Sequence, residues 1–191
     1  MLARDELDLR LYDDVTEALA TLPNVNIRRS GGPDGEPSLG MYGISARPRS
    51  STSTTLAIDG VPLNNGVFPE ASLNILPLSV LERIEVVQGP ASAAYGNNAR
   101  LGVVNLVTRQ PKAFGGEVSA SYAKWDTASL GGYLGGGVDG GGRYLVGFEE
   151  RHTDGHLQPA GRSDFSDSRL HNLAGFVNRA FGQLLLSASY V

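Results

Sequence analysis

Cysteine is absent from the 191 residues, which removes disulfide scaffolds, thiolate metal centres and cysteine nucleophiles from consideration. Long apolar runs are absent too. Nothing approaches the roughly 18 consecutive apolar residues of a membrane-crossing helix, so any membrane role must be carried by strands. Basic residues are in no surplus: 16 Lys and Arg stand against 20 Asp and Glu, a net charge of −4, and the clustered basic face of a nucleic-acid-binding protein is missing. The opening residues, MLARDELDLRLYDD, have neither the basic nor the apolar region of a secretory signal. The closing residues, LLLSASYV, break off within a strand pattern. The first feature leaves two readings open, a cytosolic chain or a lost true start, and the second reads as a cut end.

What is present is organised around positions 81 to 96, LERIEVVQGPASAAYG. Ile84 and Val86 share one side of a two-residue period, as in a strand with a buried face. Gly89-Pro90 ends that strand. Proline has its φ preset for a first helical position, so the reading expects a helix at Ala91–Tyr95 closed by Gly96 in a left-handed conformation. A second strand is expected at Val103–Thr108, and Ile84, Val86, Val104 and Leu106 are expected in the core.

Upstream, Asp13-Asp14 precede Val15, Ala18, Leu19 and Leu22 at helical spacing, and Asp14 with Glu17 resembles a capping box. A helix over 13–22 follows, with Pro23 ending it and Val25–Ile27 as a short strand. SGGPDGEPSLG is expected as an exposed loop. Thr55–Ile58 reads as a β-branched strand closed by Asp59-Gly60, a dipeptide that supplies positive φ in a tight turn.

From Gly115 the pattern becomes strict alternation. Val118, Ala120 and Tyr122, then Ala128, Leu130, Leu134 and Val138, then Tyr144, Val146 and Phe148, and finally Leu184, Leu186, Ala188 and Tyr190 each present one apolar face. A fourth run at Arg169–Phe181 is less regular. Links at Asp139–Gly142 and near Gly182 are tight while His152–Asp167 is long and polar, which agrees with an outer-membrane barrel of short inner turns and long outer loops; a soluble sandwich is the alternative that the same alternation allows.

Three segments in order, LAIDGVPLNNG at 56–66, LERIEVVQGPASAAYG at 81–96 and NNARLGVVNLVTRQP at 97–111, resemble the plug domain of TonB-dependent outer-membrane receptors. With the helix at 13–22 the resemblance covers about the first 110 residues. It implies a fold class of an α+β plug domain, residues 1–112, followed by antiparallel β-strands of an incomplete outer-membrane β-barrel, residues 113–191. It implies energy-coupled uptake of a ferric siderophore or similar bulky nutrient across the bacterial outer membrane, with the plug as gate inside the barrel lumen, facing the periplasm, and a TonB-type inner-membrane complex as partner. The plug-motif positions are Asp59, Gly60, Arg83, Glu85, Gln88, Gly89, Pro90, Tyr95, Gly96 and Asn105. Arg28, Arg29, Tyr42, Arg47 and Arg49 become candidates for touching an anionic iron chelate. Where the family commonly has an arginine before Gly-Pro this chain has Gln88, an amide that would make a weaker bond than a guanidinium to a barrel-wall carboxylate.

No enzyme, cofactor, metal site or nucleic-acid partner is expected. Gly135-x-Gly137-x-x-Gly140 matches a dinucleotide fingerprint in letters only, because strand rather than helix follows it. His152, Asp154, His156, Asp164 and Asp167 sit in one loop pattern without a spacing that sets a coordination geometry. His171 with Asp154 and any of the many serines is a combination that most sequences would offer by chance. The rival reading is a soluble or secreted β-rich binding module with a plug-like core, or a non-functional receptor remnant.

Overall fold

Asp14 caps the helix that its spacing announces. In the computed structural model its Oδ1 accepts the Glu17 N–H at 2.8 Å and the Thr16 hydroxyl at 2.5 Å, satisfying a donor that the first helical turn leaves open. The structure describes residues 1–10, 12, 14–29, 37–44, 53–63, 73, 76–96, 98–123, 126–138, 142–153, 168–179 and 182–190. The helix is shorter than expected, Val15–Ala20, and buries Val15, Thr16, Ala18 and Leu19.

The described residues form two compact units. The first comprises those of Met1–Ser30, Glu36–Asn74 and Leu81–Thr108; the second those of Ile75–Val80 and Arg109–Val191. In the first, β1 (Leu2–Ala3), α1 (Arg4–Arg10), α2 (Val15–Ala20), β2 (Val25–Arg29), β3 (Pro37–Met41), β4 (Thr54–Ile58), β5 (Val61–Pro62), β6 (Leu81–Gln88), α3 (Ser92–Tyr95) and β7 (Gly102–Thr108) follow in order. Five strands make a mixed sheet, β1-β6-β7-β4-β5, and β2 pairs with β3 separately. Central β4 and β7 run parallel and are buried along their whole length. Near-continuous runs of apolar and β-branched residues, TTLAI and GVVNLVT, rather than apolar–polar alternation are what a strand covered on both faces needs.

Ile84, Val104 and Leu106 are fully buried as expected. Val86 is only partly buried, although it stands opposite Val104 and so on the same face as Ile84. A register shift between Leu81 and Arg83 lets Leu81 and Ile84, three residues apart, both reach the core. Part of the expected exposed loop is not exposed: Pro37–Met41 is a strand buried at every position, with proline tolerated as its first residue. β1, α1 and β5 had no counterpart in the sequence reading. α1 shows its signal only in retrospect, through Arg4 with Asp8 and Glu6 with Arg10 at i,i+4 spacing.

The second unit is an antiparallel meander: β8 (Gly115–Ala123), β9 (Thr127–Val138), β10 (Gly142–Thr153), β11 (Ser168–Arg179) and β12 (Gly182–Tyr190), each paired to the next. Val118, Tyr122, Leu130, Leu134, Val138, Val146, Phe148 and Leu173 are exposed. Register explains the irregular fourth run. Phe148 opposes Leu173, so the apolar face moves from even to odd positions in β11, and Leu173 opposite Ala188 restores even positions in β12. The tight links at 139–141 and 180–181, like the long one at 154–167, lie outside the described residues.

Candidate functional site

Asp59 and Gly60 are the two central residues of the β4–β5 hairpin, flanked by the Ile58–Val61 pair. Their φ values of 48° and 81° make a turn with positive φ at both positions, for which Asp-Gly is suited. The Asp59 carboxylate accepts the Thr108 N–H at 2.8 Å and the Thr108 hydroxyl at 2.7 Å, while the Gly60 N–H donates to Asn105 Oδ1 at 2.9 Å. Asn105 Nδ2 donates to Glu85 Oε2 at 3.1 Å, and Arg83 Nε donates to Glu85 Oε1 at 2.7 Å. Five of the plug-motif residues thus form one relay from the hairpin turn through β7 to β6. The Arg83 bond first, and then the Asn105 bond, hold the Glu85 carboxyl below its ordinary value.

The remaining motif residues gather at the other end of β6. Ala91 and Tyr95 pack on Ala57, Ala99 and Val103, capping the sheet face that carries Glu85 and Asn105. The Gly89 N–H donates to the Leu101 carbonyl and the Ala91 N–H to the Ala99 carbonyl, both at 2.9 Å. The short helix differs from expectation in two details. It starts at Ser92, with Ala91 at φ −123° as its cap, so Pro90 lies outside it. Gly96 has positive φ, 84°, but its ψ of −178° is not the left-handed helical value. Gln88 uses its amide inside the plug: Nε2 donates to the Pro23 carbonyl at 2.6 Å and Oε1 accepts from Asn24 Nδ2 at 3.4 Å.

Of the chelate candidates, Arg28 is exposed on β2 opposite Ser38. Tyr42 is exposed in the turn after β3, its N–H donating to the Asn24 carbonyl. Four ladder positions, about 13 Å, separate the two, so one small ligand group cannot contact both backbones. The Arg29 backbone pairs with Pro37; its side chain, with Arg47 and Arg49, lies outside the described residues. In the second unit the sequence reading missed Arg109, whose guanidinium lies 4.2 Å from the centre of the Tyr133 ring and 3.5 Å from the Glu117 carboxylate. The only signal was Tyr133 itself, an aromatic among glycines at odd, inward parity.

None of these arrangements brings a nucleophile to a base among the described residues. They build a sheet tied by polar side chains, followed by a meander with an exposed apolar face. Comparison with known proteins gives the same picture. A TonB-dependent receptor plug domain model matches residues 1–103. The ferric yersiniabactin uptake receptor FyuA from Yersinia pestis superposes with a TM-score of 0.68 at 25% identity, over 98% of this chain and 30% of that one. The unliganded ferric citrate transporter FecA gives a TM-score of 0.74 at 22% identity, again over 98% and 30%. The pyoverdine receptor FpvA from Pseudomonas aeruginosa PAO1, bound to pyoverdine, gives 0.68 at 16% identity, over 98% and 26%. The chain spans less than a third of the length of these structures. With the family model covering more than half of the sequence, the chain belongs to the TonB-dependent receptor plug domain family.

Proposed function

We propose that the chain is the N-terminal portion of an outer-membrane receptor that gates energy-coupled uptake of a ferric siderophore or a similar bulky nutrient, with a TonB-type inner-membrane complex as its energy source. The observation that carries this reading is the direct succession of a plug sheet, β1 to β7, and an antiparallel meander of strands up to 12 residues long. Tilted strands of about 9–11 residues cross a bilayer, and the exposed row from Val118 to Leu173 is the apolar band such strands turn to lipid. A soluble binding module would bury that row. The work is conformational: a ligand on one side and a pull on the other shift the plug between states, and no bond is made or broken. The plug would lie in the barrel lumen, facing the periplasm.

Arg28, Arg29, Tyr42, Arg47 and Arg49 remain our proposed contacts for an anionic chelate. The test is fractionation of the native gene product, followed by growth of a deletion strain on a panel of ferric chelates as sole iron source. Outer-membrane location and loss of growth on one chelate are expected. A soluble product would overturn the reading.

A further inference from the structure

The sequence holds four Asp-Gly pairs, at 34–35, 59–60, 139–140 and 154–155, and the second is the one that lies among the described residues. Aspartate followed by glycine is the pair most open to backbone isomerisation, because glycine has no side chain to keep its amide nitrogen from the neighbouring carboxyl carbon. The step needs no co-reactant but solvent. The Gly60 nitrogen attacks Asp59 Cγ, its proton and one carboxyl oxygen leave as water, and a cyclic imide joins the two residues. Water then adds at either carbonyl of the ring, and opening at the Cα carbonyl leaves the main chain running through Cβ and Cγ, one atom longer. Asp59 is only partly buried and Gly60 is exposed, so exclusion of water does not protect the turn.

What stands against the attack is a set of bonds to β7. The Gly60 N–H, whose nitrogen would be the nucleophile, donates to Asn105 Oδ1 at 2.9 Å. The two carboxylate oxygens accept separately, Oδ1 from the Thr108 N–H at 2.8 Å and Oδ2 from the Thr108 hydroxyl at 2.7 Å, so Cγ cannot swing to the Gly60 nitrogen without losing them. The Asp59 N–H donates to the Leu106 carbonyl at 3.0 Å, and the Ile58–Val61 pair closes the hairpin behind it, which limits the backbone rotation that would align the two groups. Both reacting groups are thus tied to β7. We propose that Asp59-Gly60 is a latent isomerisation site and that Asn105, Leu106 and Thr108 keep it shut, the relay acting as a chemical guard as well as a structural tie. Once isomerised, the longer turn would carry its carboxylate away from Thr108, and the tie to β7 would not re-form.

The test is ageing of the full-length protein that carries this chain, kept folded in detergent at neutral pH, with isoaspartate located by peptide mapping and by enzymatic methylation of isoaspartyl carboxyls. In the chain unfolded in urea the four Asp-Gly sites should react at comparable rates, set by the dipeptide itself. In the folded protein Asp59 should lag its own urea rate by about tenfold or more, since reaction waits on local opening. Asn105→Ala and Thr108→Val should each raise the Asp59 rate about three- to tenfold, the change in opening that one lost hydrogen bond brings. Asp14→Ala removes the α2 cap and touches none of these bonds, so it should lower the unfolding midpoint and leave the Asp59 rate unchanged. An equal Asp59 rate in folded and unfolded chains, or an acceleration by Asp14→Ala as large as that by Asn105→Ala, would overturn the guard. Should Asn105→Ala fail to fold, Thr108→Val and the native-to-urea comparison still decide. None of these readouts depends on membrane location or transport.

Discussion

Asn105 stands directly opposite Glu85 across β6 and β7 and serves two partners with one amide, giving Nδ2–H to the Glu85 carboxylate and taking the Gly60 N–H on Oδ1. The two bonds need both ends of the amide, so neither a carboxylate nor an apolar isostere can replace it. Asn105→Asp sets a second carboxylate against Glu85 and should cost about 2–3 kcal/mol, more than Asn105→Ala. Urea midpoints of the two variants test this; a smaller loss for the aspartate would remove the relay from the stability of the sheet.

The same relay makes stability depend on acid. Because the Glu85 carboxyl is held below its ordinary value of 4.5, the folded state binds its proton more weakly than the unfolded chain does. Its contribution is therefore complete above the ordinary value and is lost as pH falls through the folded value. Unfolding midpoints should fall more steeply below about pH 4.5 in the native chain than in Glu85→Gln. Parallel acid limbs would show that the Arg83 bond adds nothing in solution.

Two glycines of the plug should respond differently to alanine. At Gly60 an added Cβ meets nothing within 4 Å and only the positive φ of 81° opposes it, so the loss should be about 1 kcal/mol. At Gly102 the Cβ would lie 2.3 Å from the Val87 carbonyl and 2.5 Å from Met41 Sδ. Overpacking there should cost about 3 kcal/mol or prevent folding. Thermal unfolding of the pair checks the order, and equal losses would contradict the close approach of β3 to β7.

Ile84 and Val86 share a face of β6 but not its burial. An unpaired carboxylate at fully buried Ile84 should cost several kcal/mol, whereas at partly buried Val86 water reaches it and about half that loss is expected. If Val86→Asp proves as damaging as Ile84→Asp in chemical denaturation, Val86 is covered in solution.

Residues 1–191 should associate in water while 1–112 remains monomeric. Among the described residues β8 and β12 are the edge strands of the meander, and an exposed apolar row from Val118 to Leu173 together with open sheet edges favours self-pairing. Sedimentation without detergent distinguishes the outcomes, since a monodisperse 1–191 would mean that the strands satisfy one another as a soluble domain.

Local chemistry alone was enough for the parts of this protein that are set within a few residues. The Asp14 cap, the Asp59-Gly60 turn, the break at Gly89-Pro90 and the period-two strands from Gly115 all follow from φ preference, donor count and side-chain alternation, which act at short range. The motif resemblance supplied the family in the same way, as a string. What the string could not contain is pairing. That β4 lies parallel to β7, that Pro37–Met41 is a buried strand rather than a loop, and that Phe148 meets Leu173 and so reverses the parity of β11 depend on which segments find each other in space. The site divides along the same line. Arg83, Glu85, Asn105, Asp59 and Gly60 were nameable as motif letters, but their relay exists only because β6 and β7 bring residues 20 positions apart into register. The glycines of β9 and β10 looked like turn residues or a false fingerprint in the sequence, because the reason for a missing side chain is the neighbour that fills its space, as Val80 Cγ1 does beside Gly147, and that neighbour is chosen by the fold.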